Sequence, residues 1–171
     1  SKLGLMLEDE NDLMLIDDLE TNLRRTETDM TIFFRKLSEI PKDLIVPEKD
    51  DQSFLTTVFD AFYKPEEVRG EVLFFWKDWM SRYLIRLAKE SDSDKDRKQK
   101  MDKINPKYVL RNYMAQVAIN AADKGDYSII DELFNLLKKP YDEQLNAEKW
   151  FVKRPEWART KVGCSMLSCS S

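Results

Sequence analysis

Histidine is absent from this 171-residue chain, and that zero removes whole classes of chemistry. No Ser-His-Asp or Cys-His catalytic pair can form within it. Zinc sites built on imidazole are gone, and two cysteines cannot supply four thiolates. Neither a Gly-x-x-x-x-Gly-Lys-Ser/Thr loop nor a Gly-x-Gly-x-x-Gly turn occurs. Four glycines and six prolines are few for a β-rich protein with many tight turns. The longest purely apolar run, Val72-Leu73-Phe74-Phe75-Trp76, is far too short to span a bilayer. The N-terminus lacks the charged-then-apolar pattern of a signal peptide. A net charge of −4 argues against a general nucleic-acid binder. No membrane and no nucleic-acid partner are therefore expected, and no catalytic, cofactor or metal residue can be named in this chain.

What is present is a globular composition, 42% hydrophobic and 35% charged, with enough length for one domain with a real core. The chain opens on Ser1-Lys2-Leu3-Gly4-Leu5 without an initiator Met, so the expectation is a piece of something longer.

Apolar spacing predicts helices along most of the chain. Leu13, Ile16, Leu19 and Leu23 mark residues 10–24. Met30, Phe33, Phe34 and Leu37 mark 29–40, with Thr28 as N-cap and Pro41 as stop. Phe54, Leu55, Val58, Phe59 and Phe62 mark 53–63. Pro65, Glu66 and Glu67 suit the first turn of a helix reaching about Lys89, lined by Leu73, Trp76, Met80, Leu84 and Leu87. Its aromatic residues form either a buried seam or an exposed docking surface. Residues 91–104 carry almost no apolar side chain and read as a mobile charged loop.

Asn105-Pro106 reads as the opening of a helix to Ala122, with Leu110, Tyr113, Met114, Val117 and Ala121 inward and Gly125 as its left-handed cap. Asp126 then caps a helix over 127–138 that buries Ile129, Ile130, Leu133, Leu136 and Leu137, and Pro140 stops it. The two form an antiparallel hairpin. Residues 141–171 read as an irregular tail. Trp150, Phe151 and Trp157 there either pin the tail to its own domain or, among lysines and arginines, stack on single-stranded nucleic acid. The expected fold is all-α: an irregular bundle of about six or seven helices forming a single 1–171 domain.

Two sets of residues draw functional attention. Cys164 and Cys169 lie among serines near the end, where exposure is expected, and read as redox or docking thiols or as a harmless tail. Arg111, Asn112 and Gln116 are polar groups beside an apolar stripe. They are either satisfied within the fold or solvent, or contacts to another domain.

The run Asn105-Pro106-Lys107-Tyr108-Val109-Leu110-Arg111-Asn112-Tyr113-Met114-Ala115-Gln116, with Ala118-Ile119 and Lys124-Gly125-Asp126-Tyr127, resembles the selenoprotein O family, whose bacterial members are called YdiU proteins. Lys2-Leu3-Gly4-Leu5, Pro140-Tyr141, Pro155-Glu156-Trp157-Ala158 and Ser168-Cys169-Ser170-Ser171 extend the likeness, although Lys139 stands where the family has Asn. The resemblance implies a C-terminal, regulatory region: a helical domain whose kinase-like catalytic partner lies upstream. That partner would use ATP with Mg²⁺ or Mn²⁺ to move AMP onto hydroxyls of protein substrates. It implies mitochondrial location for a eukaryotic member and cytoplasmic for a bacterial one. It also places Cys169 where some members carry selenocysteine. There it could pair with Cys164 or with a cysteine of the catalytic domain, in a thiol or selenol redox module. A plain helical interaction domain is the remaining alternative.

Overall fold

Helices account for the regular structure of the computed structural model, which describes residues 1–161 and Cys164. Among the described residues there are seven α-helices, three 3-10 helices and no sheet. The all-α expectation holds. Contacts divide the chain into two compact units, Ser1–Asn105 and Pro106 onward.

In the first unit, α1 (Asp12–Arg25) lies antiparallel to α3 (Glu71–Leu87), as pairings of Asn22 with Phe75, Asp18 with Arg82 and Asp12 with Arg86 show. The buried side of α1 is Leu15, Leu19, Asn22 and Leu23, and the expected inward residues Leu13 and Ile16 face out. Leu13-Met14-Leu15-Ile16 is an unbroken apolar run, so spacing alone leaves the helix phase open. Asn22 settles it by donating to the Phe75 carbonyl (3.2 Å), and the Trp79 indole donates to the Leu15 carbonyl (2.9 Å).

α2 (Met30–Leu37) is capped by Asp29, whose carboxylate accepts from the Ile32 amide, and not by Thr28. The expected helix over 53–63 is a 3-10 helix, Ser53–Ala61. Pro65–Glu67 forms only a short 3-10 helix; the chain then breaks at Gly70 (φ +55) before α3 begins. The seam reading of the aromatics is correct for Trp76 and Trp79. Phe33, Phe62, Trp76, Trp79 and Tyr83 form a chain of ring contacts ending in a stacked Trp79–Tyr83 pair, centroids 4.9 Å apart.

The expected mobile loop at 91–104 contains α4 (Asp94–Asp102), N-capped by Ser93. Its sole apolar residue, Met101, is fully buried, and so is Arg97. Arg97 donates to the Ile40 carbonyl and to Asp94, while Lys42 donates to the Glu90 and Asp92 carbonyls. Arg35 of α2 donates to the Asp102 and Asn105 carbonyls, where a cation complements the helix C-terminus. Long-range hydrogen bonding thus orders a segment that hydrophobicity alone would leave loose.

The lead-in Ser1–Leu7 is held as a strap. Asn105 donates to the Lys2 carbonyl (2.9 Å), Tyr83 to Leu3 (2.8 Å) and Arg86 to Leu7 (2.6 Å). The Leu7 amide donates to Glu90 (3.1 Å). Gly4 sits at φ +73, and a Cβ there would meet Met101 Sδ at 2.8 Å and Arg97 Cγ at 2.9 Å, so only glycine lets the strap lie this close.

In the second unit, α5 is Asn112–Ala122, six residues later than Asn105-Pro106 implied. The Lys107 and Tyr108 amides instead donate to the Pro140 carbonyl (2.8 and 3.0 Å), which holds that stretch outside the helix. α5 packs on α6 (Ser128–Leu137), giving the expected hairpin. Gly125 (φ +81) donates to Ala122 and the Asp126 amide to Ala121, the double bond of a Schellman cap. Leu110 and Ile130, expected inward, are exposed. The tail contains a 3-10 turn at Glu148–Trp150 and the short α7 (Trp157–Thr160).

Burial raises the Glu90 carboxyl, but hydrogen bonds from Arg86 and from the Leu7 and Met6 amides outweigh it and leave the pKa below its ordinary value. A lowered folded pKa contributes stability that is complete above the unfolded pKa and lost as pH falls through the folded one. Glu90→Gln should therefore cost about 1–3 kcal/mol at pH 7. The gap to wild type should narrow below the ordinary glutamate range. Urea unfolding at several pH values checks this; a gap independent of pH would contradict it.

Candidate functional site

The second unit gathers most of the residues that the sequence singled out. Its core is Tyr108, Tyr113, Met114, Ala118, Leu133, Leu136, Ala147, Trp150, Ala158 and Cys164. The first six come from the α5–α6 hairpin and the stretch before it; the last four come from the tail. The tail is thus part of the core, with Trp157 edge-on to Tyr113 at 6.4 Å.

Cys164 is 4% exposed, which corrects the expected exposure of this thiol. Its amide donates to the Lys161 carbonyl (3.0 Å), and Asn112 Nδ2 lies 3.4 Å from its carbonyl oxygen. Cys169 lies outside the described residues. Arg111 donates to the Val152 carbonyl (3.0 Å) at the start of α5. Arg111 and Asn112 therefore meet the tail of their own unit. Gln116 is separate from them: its amide donates to Asn120, one turn on, at the exposed surface of α5.

Two further polar centres escaped the sequence reading. Lys107 is buried and reaches both Glu143 and Glu148, with its ammonium 5.2 Å from the Phe151 ring centre. Burial lowers the Lys107 pKa, but the two glutamates outweigh that and raise it, so this amine stays protonated. Glu132 of α6 accepts from the Trp150 indole (2.7 Å) and pairs with Lys149. Of the basic residues interleaved with aromatics in the tail, Lys149 is tied to Glu132 and Arg159 to Glu156. Only the acidic side chains at fitting distances along the chain could have signalled this, and they are common.

In the first unit, an open cleft of about 430 Å³ is lined by Asp50, Asp51, Gln52, Arg69, Gly70 and Leu73. Its carboxylates are partly engaged: Asp51 accepts from the Ser53 amide and hydroxyl, which lowers its pKa. Among the described residues, no group of three or more His, Cys, Asp or Glu side chains is placed to hold a metal ion. No described helix is long and apolar enough to cross a membrane. These side chains bind the fold's own carbonyls, carboxylates and turns.

The helical architecture and this self-contained use of polar groups meet a clear family match. Residues 1–138 match the family described as protein adenylyltransferase SelO, and the chain belongs to that family. It is 60% identical over 171 residues to the protein nucleotidyltransferase YdiU of Flavobacterium johnsoniae, covering 100% of this chain and 32% of that protein. It is 47% identical to the protein of the same name from Rhodopirellula baltica, covering 99% of this chain and 33% of the relative. The Aromatoleum aromaticum protein of that name is 40% identical, with 100% and 31% covered. The chain thus spans about a third of the length of the curated relatives it matches, in their C-terminal part.

A core role for Cys164 has a direct test. Replacing Cys164 by Ser puts a hydroxyl among apolar side chains and should cost about 1–3 kcal/mol. In a Cys169→Ser background, the remaining thiol should react with a thiol reagent far more slowly in the native chain than in urea. Equal rates in both states would show that Cys164 is accessible.

Proposed function

We propose that this chain is the C-terminal helical, regulatory part of a protein adenylyltransferase and works by supporting a kinase-like catalytic part that precedes it. The observation carrying this reading is the match along the whole chain to nucleotidyltransferases of which it makes up only about a third. The use of its buried cations within the fold supports it further: Arg35, Arg86, Arg97 and Lys107 all serve internal carbonyls or carboxylates.

In the reaction, a substrate hydroxyl oxygen forms a bond to the α-phosphorus of ATP. The bond from that phosphorus to the bridging oxygen breaks, pyrophosphate leaves, and the hydroxyl proton passes to a base. Nucleotide, divalent metal and base would be held by the catalytic part. Arg111 and Asn112, by fastening the tail to α5, would act on that chemistry only through the second unit's shape.

Intact-mass analysis tests the reading. This chain, a separately made catalytic part and their mixture are each incubated with ATP, Mg²⁺ or Mn²⁺ and a protein acceptor. The expected result is no added AMP with this chain alone and an altered rate in the mixture compared with the catalytic part alone. AMP addition by this chain alone would contradict the reading.

A further inference from the structure

The start of the strap lies against α2, and the surface there is partly apolar. The Lys2 carbonyl accepts from the Asn105 side chain (2.9 Å), and the Asn105 carbonyl accepts from Arg35 of α2 (3.1 Å). These bonds bring the Lys2 ammonium over the ring of Phe34, the neighbour of Arg35, 5.4 Å from its centre. Met30 stands one turn before Phe34 on the same side of α2 and is 41% exposed. Phe34 itself is only partly buried, whereas Ile32, Phe33 and Leu37 of α2 are buried. Ile104, next to Asn105, is 40% exposed. Exposed Lys2 and Lys103 border these apolar groups. An apolar centre with a charged rim is the form of an interaction surface.

We infer that the face formed by Met30, Phe34 and Ile104 is covered by the segment that immediately precedes Ser1 in the longer protein. The inference rests on the reading of this chain as the C-terminal part of such a protein. Two observations select that occupant. About two thirds of the relatives' length lies outside the match, and the matched part is C-terminal, so the remainder joins this chain at Ser1. Ser1 is itself fixed beside the face. Its carbonyl accepts from the Gly4 amide and its hydroxyl from the Leu3 amide (both 3.2 Å), and the next residue, Lys2, is held by Asn105 and Phe34. A chain advances at most about 3.3–3.6 Å per residue, so the first few residues before Ser1 cannot leave this neighbourhood. A covalently joined segment held this close has a high effective concentration, so a small apolar face is enough to keep it docked. Lys2 and Lys103 at the rim match a segment that carries acidic side chains beside apolar ones.

Methionine oxidation reads this face directly, because peroxide converts an accessible thioether to a sulfoxide. Met30 is the probe, and the fully buried Met80 and Met101 report an intact fold. In the longer protein, Met30 should oxidise about tenfold more slowly than in this chain, a protection typical of local burial. This chain extended by only the segment preceding Ser1 should show the same protection. Lys2→Glu with Ile104→Ser should restore Met30 oxidation in the longer protein while Met80 and Met101 stay slow. That last comparison stays within the longer protein and does not depend on how this chain folds alone. Equal Met30 rates in this chain and the longer protein would overturn the inference. So would protection in the longer protein but not in the extended chain, which would assign the face to a more distant part. Protection within this chain that rises with its concentration would assign it to a second copy and overturn the inference as well. AMP transfer by the longer protein is measured on the same sample. Protected Met30 without transfer would support the face and contradict the functional reading; transfer with unprotected Met30 would do the reverse.

Discussion

The strap Ser1–Leu7 is the constraint on which the first unit depends. An extended segment without regular structure presents backbone groups that must be satisfied when it is covered. Here the partners come from four residues distant in sequence: Tyr83 and Arg86 on α3, Glu90 just beyond its end, and Asn105 beyond α4. Arg97 and Met101 of α4 press on Gly4 from the other side. The strap thereby ties α3 to α4, and Arg35 ties α4 to α2. Breaking a buried charged hydrogen bond leaves the other partner unsatisfied, which costs more than the bond itself contributes. The arrangement therefore favours all of these contacts forming together.

This use of polar groups shapes the functional account. Buried arginines and a buried lysine often mark anion-binding sites, yet those of this chain bind its own main chain and carboxylates. The second unit follows the same pattern with different parts. Lys107 gathers Glu143 and Glu148, and Glu132 takes the Trp150 indole, so the tail returns across the α5–α6 hairpin and closes its core with Trp150, Ala158 and Cys164. On the proposed reading, the contribution to catalysis is the shape and position of these two units.

Local signals explain what was legible in the sequence. The Lys124-Gly125-Asp126 turn, the α3 stripe of Leu73, Trp76, Met80, Leu84 and Leu87, and the hairpin can each be read from neighbours a few positions apart. Long-range partners explain what was not. α4 exists because Arg97 finds the Ile40 carbonyl, 57 positions away. α5 starts late because the Pro140 carbonyl takes the amides of Lys107 and Tyr108. The phase of α1 depends on Asn22 reaching Phe75. Among the site residues, Arg111 and Asn112 stand out in the sequence as polar groups beside an apolar stripe, but nothing nearby in sequence names Val152 or Cys164 as their partners. The burial of Cys164 has no periodic local signal, since Gly163 and Ser165 flank it.

Native-state hydrogen exchange at the Leu7 amide tests the central claim most directly. That amide donates to Glu90, and the account makes the strap part of the same cooperative unit as α3. It predicts that Leu7 exchanges with the same opening free energy as the α3 amides around Trp79 and Tyr83, and that both fall together in denaturant. Exchange at Leu7 close to the rate of an unstructured chain, with α3 still protected, would show that the strap opens on its own and would contradict the account.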